Sequence, residues 1–249
     1  LQKNAENSGA GQYFTPRSVI SAMVDCISPK PKETVADPSC GTGGFFLGVL
    51  NHFRNIELSD SEEQFLKFDT FKGWEIEKAT ARLCLMNLFL HGVGDLKETP
   101  EIEVTDSLKR TDGEVSELEK VDIVLANPPF GISSSDIPTT DAKQAEKDGY
   151  FLRKDFWVTT SKQLSFLQHI VSMLKENGRA AVVLPDNVLF EGGAGEVIRK
   201  KLLEKTSLHT ILRLPTGIFY AQGVKSNVLF FQKVAESEQP LTKDVWIYD

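Results

Sequence analysis

Residues 127–130 read Asn-Pro-Pro-Phe and follow directly on the apolar run VDIVLA. An amide, two residues without a backbone N–H and an aromatic ring therefore stand at the end of what reads as a buried strand. Proline fixes the backbone angles, so Pro128 and Pro129 predict a stiff segment whose carbonyls meet no competing local donor. The Asn127 side-chain oxygen and the Pro128 carbonyl are then two acceptors able to converge on one NH2 group, while Phe130 offers a face to a planar ring. An exocyclic aromatic amine is a poor nucleophile because its lone pair is delocalised into the ring. Two acceptors on its hydrogens favour the pyramidal form, whose lone pair is free to attack. The bland alternative is a rigid strand-to-loop turn.

Such chemistry needs an electrophile in line, and three earlier strand ends bear on where it would be held. The first is the turn DPSCGTGG, from Asp37 through Gly41, Thr42, Gly43 and Gly44. Its glycines let backbone approach a ligand and aim N–H groups at an anionic end. The spacing is neither GxGxxG nor a P-loop, and alone it is a weak signal. The second is GWEIE, where Glu75, in preference to Glu77, could accept both hydroxyls of a ribose. The third is VTDSL, whose Asp106 could accept from an adenine amino group, although Asp before Ser is also ordinary turn chemistry. Glycine turn, ribose acceptor and adenine acceptor in succession suit an adenosine with a small charged tail. A sulfonium methyl group on such a molecule is a suitable electrophile, leaving the protein the tasks of positioning and electrostatics.

The elements that position these groups alternate. TPRSVISAMVDCI predicts an amphipathic helix with Thr15 as N-cap and Pro16 in its first turn. TVAD, FDTFKGWEIE, EIEVTDSL and VDIVLANPPF predict four strands, and KATARLCLMNLFLHG a helix closed by Gly92. QLSFLQHIVSMLKENG predicts a helix stopping at Gly178, RAAVVLP a buried strand and GEVIRKKLLEKT a further helix. The end of the chain is strand-rich. The pattern predicts an α/β fold: a mostly parallel sheet with helices on both faces and an antiparallel hairpin near the C-terminal end. Residues 132–160 are polar and aperiodic and predict a long mobile loop, whose Lys143, Lys147, Arg153 and Lys154 could meet phosphates.

With 249 residues, 41% of them apolar and 25% charged, the chain can bury the core of one large domain. No stretch approaches the roughly 20 apolar residues of a membrane span, and the N-terminus lacks a secretion signal, so a cytoplasmic location is expected. Cys26, Cys40 and Cys84 suggest neither a disulfide framework nor a zinc site, and no metal is expected. A net charge of −7 argues against wrapping nucleic acid unaided. The abrupt ends, LQKNAENS and DVWIYD, read as those of a fragment of a longer protein.

The order GQYFTPRSVISAMV, DPSCGTGGF, GWEIEKATARLCLMNL, ANPPFG and LRLPTGIF resembles the modification subunit of a Type I restriction-modification system, an S-adenosylmethionine-dependent adenine-N6 DNA methyltransferase. The resemblance covers most of the chain and implies a Rossmann-like methyltransferase fold, with residues 1–249 as one catalytic domain. It implies that Gln12, Tyr13, Phe14, Thr15, Pro16 and Arg17 join Thr42, Gly43, Gly44 and Glu75 at the cofactor. It also implies that Asn127, Pro128, Pro129 and Phe130 form the catalytic segment. DNA with a flipped target adenine, a specificity subunit and a restriction subunit are the implied partners. Cytosine-N4, RNA guanine-N2 and protein glutamine present a similar NH2 to such a segment, and the residues alone do not separate them. A catalytically silent scaffold is the reading from another class. Cytosine-C5 chemistry is disfavoured because no cysteine lies near residues 127–130.

Overall fold

The computed structural model describes residues 14–108, 120–130, 156–157, 159, 161–219, 225–235 and 241–249. Eight strands are found among them: β1 (Val35–Asp37), β2 (Phe71–Glu75), β3 (Glu101–Val104), β4 (Val121–Ala126), β5 (Leu174–Pro185), β6 (Thr206–Leu214), β7 (Ser226–Lys233) and β8 (Trp246–Tyr248). They form one sheet in the order β3-β2-β1-β4-β5-β7-β6-β8. β3, β2, β1, β4 and β5 are mutually parallel, β7 runs antiparallel to both β5 and β6, and β8 lies parallel to β6. The chain winds outward from β1 to β3, then returns to place β4 on the other side of β1. A crevice opens at that reversal, beyond the carboxyl ends of the strands.

Alternate residues of the central strands feed two cores. Val35, Ile123, Leu125, Ala181 and Val183 pack with α1 (Arg17–Ile27), α2 (Gly44–Phe53) and α4 (Lys78–Leu90). Ala36, Val124, Ala126, Val182 and Leu184 pack on the opposite face with α5 (Lys162–Met173), α6 (Asn187–Phe190) and α7 (Ala194–Lys205). Burial on both faces is why VDIVLA is apolar almost without interruption.

Helix α1 buries Val19, Ile20, Met23, Val24 and Ile27, the stripe its sequence spacing predicts. Its cap differs from the expectation. Pro16, with φ −56° and ψ 141°, occupies the N-cap position, and its carbonyl accepts from the amides of Val19 and Ile20 at 3.0 Å each. Thr15 stands outside the helix with its hydroxyl turned elsewhere.

The α5–β5 junction also differs. The helix ends at Met173, because Leu174 already pairs with Val121 of β4, and Asn177 at φ +65° makes the turn assigned to Gly178. A Cβ on Gly178 would lie 3.0 Å from the Asp122 carbonyl, so that glycine serves a close approach between strands. A helix not anticipated, α3 (Asp60–Phe68), buries none of its residues and starts with a reciprocal Ser59–Glu62 capping box.

The amino-terminal ends of β1, β4 and β5 are tied by polar contacts far from the crevice. Arg179 donates to both Glu33 carboxylate oxygens at 2.7 and 2.8 Å, and to the carbonyls of Ile27 and Ser28 at 2.8 and 2.9 Å. Burial pushes the Glu33 carboxyl up, but the Arg179 hydrogen bonds, the Lys30 amide and the Arg179 charge together outweigh it and hold the group below its ordinary value. Rigidity at this end leaves the opposite end free to carry loops. The expected loop at 132–160 lies outside the described residues except for Phe156, Trp157 and Thr159.

Candidate active site

A cavity of about 590 Å³ occupies the crevice at the carboxyl ends of β1 to β4. β1 and its turn contribute Asp37, Gly41, Thr42 and Gly44, β2 contributes Trp74 and Glu75, and the segment after β3 contributes Asp106. Asn127, Pro128 and Pro129 close it from β4, while Phe14 and Thr15 reach in ahead of α1. The four strand-end groups read from the sequence thus share one wall-to-wall space. Gln12 and Tyr13 lie outside the described residues, and Pro16, Arg17, Gly43 and Phe130 do not line the cavity.

The turn after β1 is held by backbone. The Cys40 amide donates to the Trp74 carbonyl at 3.0 Å, and the Gly43 amide returns to the Cys40 carbonyl at 2.8 Å. Gly41 at φ +54° and Gly43 at φ +84° occupy the left-handed region, which accounts for glycine there. Gly43 has a second constraint, since a Cβ would sit 2.9 Å from the Cys84 Sγ. It caps α2 from beneath the cavity. The Asn87 amide nitrogen donates to the Thr42 carbonyl at 2.9 Å and links the turn to α4. Cys40 and Cys84 are buried beside this turn; their mutual hydrogen bond and burial push the Cys40 thiol far above its ordinary range, so it is inert filling.

Glu75 is fixed through both oxygens. Oε2 accepts from the Gly41 amide at 3.1 Å and Oε1 from the Glu77 amide at 2.8 Å. Each oxygen retains acceptor capacity for a further donor. Glu77 lines the cavity too, but its side chain accepts from the Ala79 amide at the start of α4. Asp37 is 3% exposed and accepts from the Ser39 amide at 2.9 Å. Burial, reinforced by the nearby Glu75 charge, pushes its carboxyl up to about 7. Asp106 accepts from the Leu108 amide at 3.0 Å.

At the end of β4 the Asn127 Nδ2 donates to the Thr15 Oγ1 at 2.9 Å. Its Oδ1 is buried and has no hydrogen-bond partner among the described residues. The Asn127 backbone carbonyl accepts from Ser39 Oγ at 3.4 Å. Phe130 packs edge-on against Phe219, with ring centroids 5.8 Å apart and planes at 79°. That contact joins the proline segment to the PTGIF sequence after β6, where Phe219 is core.

Trp74, Lys162 and Phe166 line the cavity without having been singled out from the sequence. Trp74 was visible only as part of a strand. Lys162 and Phe166 open α5, and their one sequence signal was a position at the start of an apolar helix. Among the described residues no cluster of His, Cys, Asp or Glu is placed to hold a metal ion.

The strand order and the place of the crevice are those of the class I S-adenosylmethionine-dependent methyltransferase fold. A Listeria monocytogenes protein described as such a methyltransferase superposes with a TM-score of 0.62 at 17% identity, over 94% of this chain and 65% of that one. More narrowly, the chain belongs to the N-6 DNA methylase family, whose model matches residues 1–249. It is 46% identical over 261 residues to the Type I restriction enzyme EcoKI methylase subunit of Escherichia coli K12, a match covering 100% of this chain and 46% of that subunit. The crystal structure of the EcoKI M protein superposes with a TM-score of 0.80 at 41% identity, over 98% of this chain and 49% of that one. The chain spans about half the length of the relatives it matches.

Proposed function

We propose that residues 1–249 form the catalytic domain of an adenine-N6 DNA methyltransferase, the modification subunit of a Type I restriction-modification system. The observation that carries this reading is the Asn127 amide: buried beside the cavity, tethered through its nitrogen, with its oxygen unpartnered. An acceptor left so is costly unless a donor arrives, and an exocyclic NH2 is such a donor.

The lining fits S-adenosylmethionine. Glu75 accepts from ribose hydroxyls, Asp106 from the adenine amino group, and Trp74 with Phe166 supplies apolar wall. Asp37 and the turn residues Gly41, Thr42 and Gly44 attend the charged amino-acid end, with Phe14 and Thr15 reaching in ahead of α1. When bound, this group supplies an electrophilic methyl carbon. Asn127 Oδ1 and the Pro128 carbonyl accept the amine hydrogens of the target base, orient its nitrogen and favour the pyramidal form. Pro129 stiffens the segment and Phe130 braces it against Phe219. The target adenine must leave the duplex stack to reach Asn127.

With a charge of −7, this domain relies on other protein for most of its hold on DNA. A specificity subunit supplies target recognition, a restriction subunit completes the system, and the cytoplasm is the place of action. Among the described residues no helix is long and apolar enough to cross a membrane.

The test is methyl transfer to DNA by the full-length chain with its specificity subunit, using a labelled methyl donor followed by nucleoside analysis. Label in N6-methyladenine is expected. Label in N4-methylcytosine, or in protein or RNA in place of DNA, would overturn the reading.

A further inference from the structure

A base that swings out of a duplex leaves a gap behind it, and the turn after β5 carries a side chain suited to fill one. Ala126, the residue ahead of Asn127, pairs with Val182, so the parallel register brings Asn127, Pro128 and Pro129 level with Val183, Leu184 and Pro185. The chain then leaves β5 at the cavity end of the sheet, beside the proline segment and on its far side from the glycine turn of β1. In the turn that follows, Val188 is buried and Leu189 packs against the core, whereas Phe190 is 74% exposed. Phe14 and Ile76 are exposed as well, but they line the cavity and Phe190 does not. We infer that Phe190 is a wedge for duplex DNA: when the target adenine swings out to Asn127, the phenyl ring enters the vacated place and stacks on the neighbouring bases. The inference rests on the adenine-N6 reading given above and deepens it by naming the residue that holds the duplex open.

The turn that bears Phe190 is held more firmly than an idle surface loop needs to be. The Asp186 amide donates to the Lys225 carbonyl at 2.9 Å, and the Asp186 carboxylate accepts from Asn227 Nδ2 at 2.7 Å, which ties the start of the turn to β7. Arg199 of α7 donates through one nitrogen to the Val188 carbonyl at 3.0 Å and the Glu191 carbonyl at 2.7 Å, so the backbone is clamped on both sides of Phe190. Gly195 lets α7 come this close, because a Cβ there would lie 3.0 Å from both Arg199 Nη1 and Glu191 Cβ. Past the ring the surroundings open: Gly192 and Gly193 have nothing within 4 Å of a Cβ position. A ring fixed in water gains no burial until a partner covers it. A stack of bases suits it, since every base presents a π-face and apolar side chains inserted at base steps are a general means of prising a duplex apart. The stacked ring offsets part of the cost of unstacking the target.

Phe190→Ala removes the ring from an exposed position. In the full-length chain assembled with its specificity subunit, it should lower kcat/KM for N6-methyladenine formation in an ordinary duplex about 10- to 100-fold, the scale of one lost base–aromatic stack. Cofactor Kd by calorimetry should stay within about 3-fold. Phe190→Tyr, which keeps the aromatic face, should retain most of the turnover. The decisive substrate carries a pyrene nucleotide in place of the base paired with the target adenine, so that the gap is filled by the DNA itself. On that duplex Phe190→Ala should come within about 3-fold of wild type.

Activity of Phe190→Ala within about 2- to 3-fold of wild type on the ordinary duplex would overturn the inference. So would a deficit equally deep on the pyrene duplex, which would make Phe190 a support for the fold or a contact for another subunit. A fall in cofactor affinity matching the fall in activity, or a tyrosine variant no better than alanine, would overturn it too. A wild-type assembly that forms no N6-methyladenine would sink the parent reading itself, an outcome told apart from the others before any variant is made.

Discussion

The Glu75 carboxylate accepts the Gly41 amide at 3.1 Å, so the end of β2 and the turn after β1 form a single hydrogen-bonded unit. A residue read as a ribose acceptor is thus also the clamp on the glycine turn. Glu75→Ala should weaken S-adenosylmethionine binding by about 1–3 kcal/mol, the scale for losing hydrogen bonds to a charged group. Titration calorimetry measures it, and unchanged affinity would take Glu75 out of the site. Because Gly41 loses its acceptor as well, hydrogen exchange at residues 40–43 should quicken in the same variant.

Asn127→Ala removes the acceptor offered to the substrate amine while leaving the cofactor-facing residues intact. Methyl transfer should fall below detection in a radiolabel assay, with cofactor affinity retained within a few fold. A variant keeping most of its turnover would contradict the role assigned to the amide.

The buried Asp37 carboxyl has a consequence for stability. Its folded value, pushed up to about 7, lies above the ordinary 3.8 at which the unfolded chain ionises. Between those values the folded state holds more protons, so this group's contribution declines as pH rises from about 4 to about 7 and is level above that. Asp37→Asn keeps an oxygen for the Ser39 amide and abolishes the titration. The difference in Tm, variant minus wild type, should therefore grow from about pH 5 to about pH 8. A difference independent of pH would show that burial of Asp37 carries no charge penalty.

Gly43→Ala tests the turn on two counts, a backbone at φ +84° and a Cβ 2.9 Å from the Cys84 sulfur. The substitution should destabilise the domain by about 1–3 kcal/mol in a urea titration, combining a left-handed alanine with overpacking. Gly217, at φ +85° with nothing near its missing Cβ, is the control for conformation without crowding. Its alanine variant should cost less.

Hydrophobic period and glycine placement made most of the fold legible. The α1 stripe, the Gly92 stop after α4 and the doubly buried β4 all follow from side chains that must find a core. What was missed lacked that signal. Helix α3 has no fully buried residue and sets only Leu66 partly against the core, so its Ser59–Glu62 cap was the clearest sign of it. The end of α5 was set by pairing of Leu174 with Val121, a contact between positions 53 apart that no local propensity encodes. In the site, Glu75 and the proline segment were readable because each finishes a largely buried strand, and Asp106 because it follows the next strand in the series. The Thr15–Asn127 bond and the inclusion of Lys162 and Phe166 depend on how distant elements meet, and a residue list does not contain that.

Strand β7 lies between β5 and β6 although it is made after both. Until Ser226–Lys233 leaves the ribosome, the seven positions Arg179–Pro185 of β5 that β7 will cover have no ladder on that side. A nascent or proteolytically clipped product that stops short of Ser226 carries the segment AAVVL as an open, adhesive border. The order in which this sheet is synthesised therefore leaves such products open to edge-to-edge association.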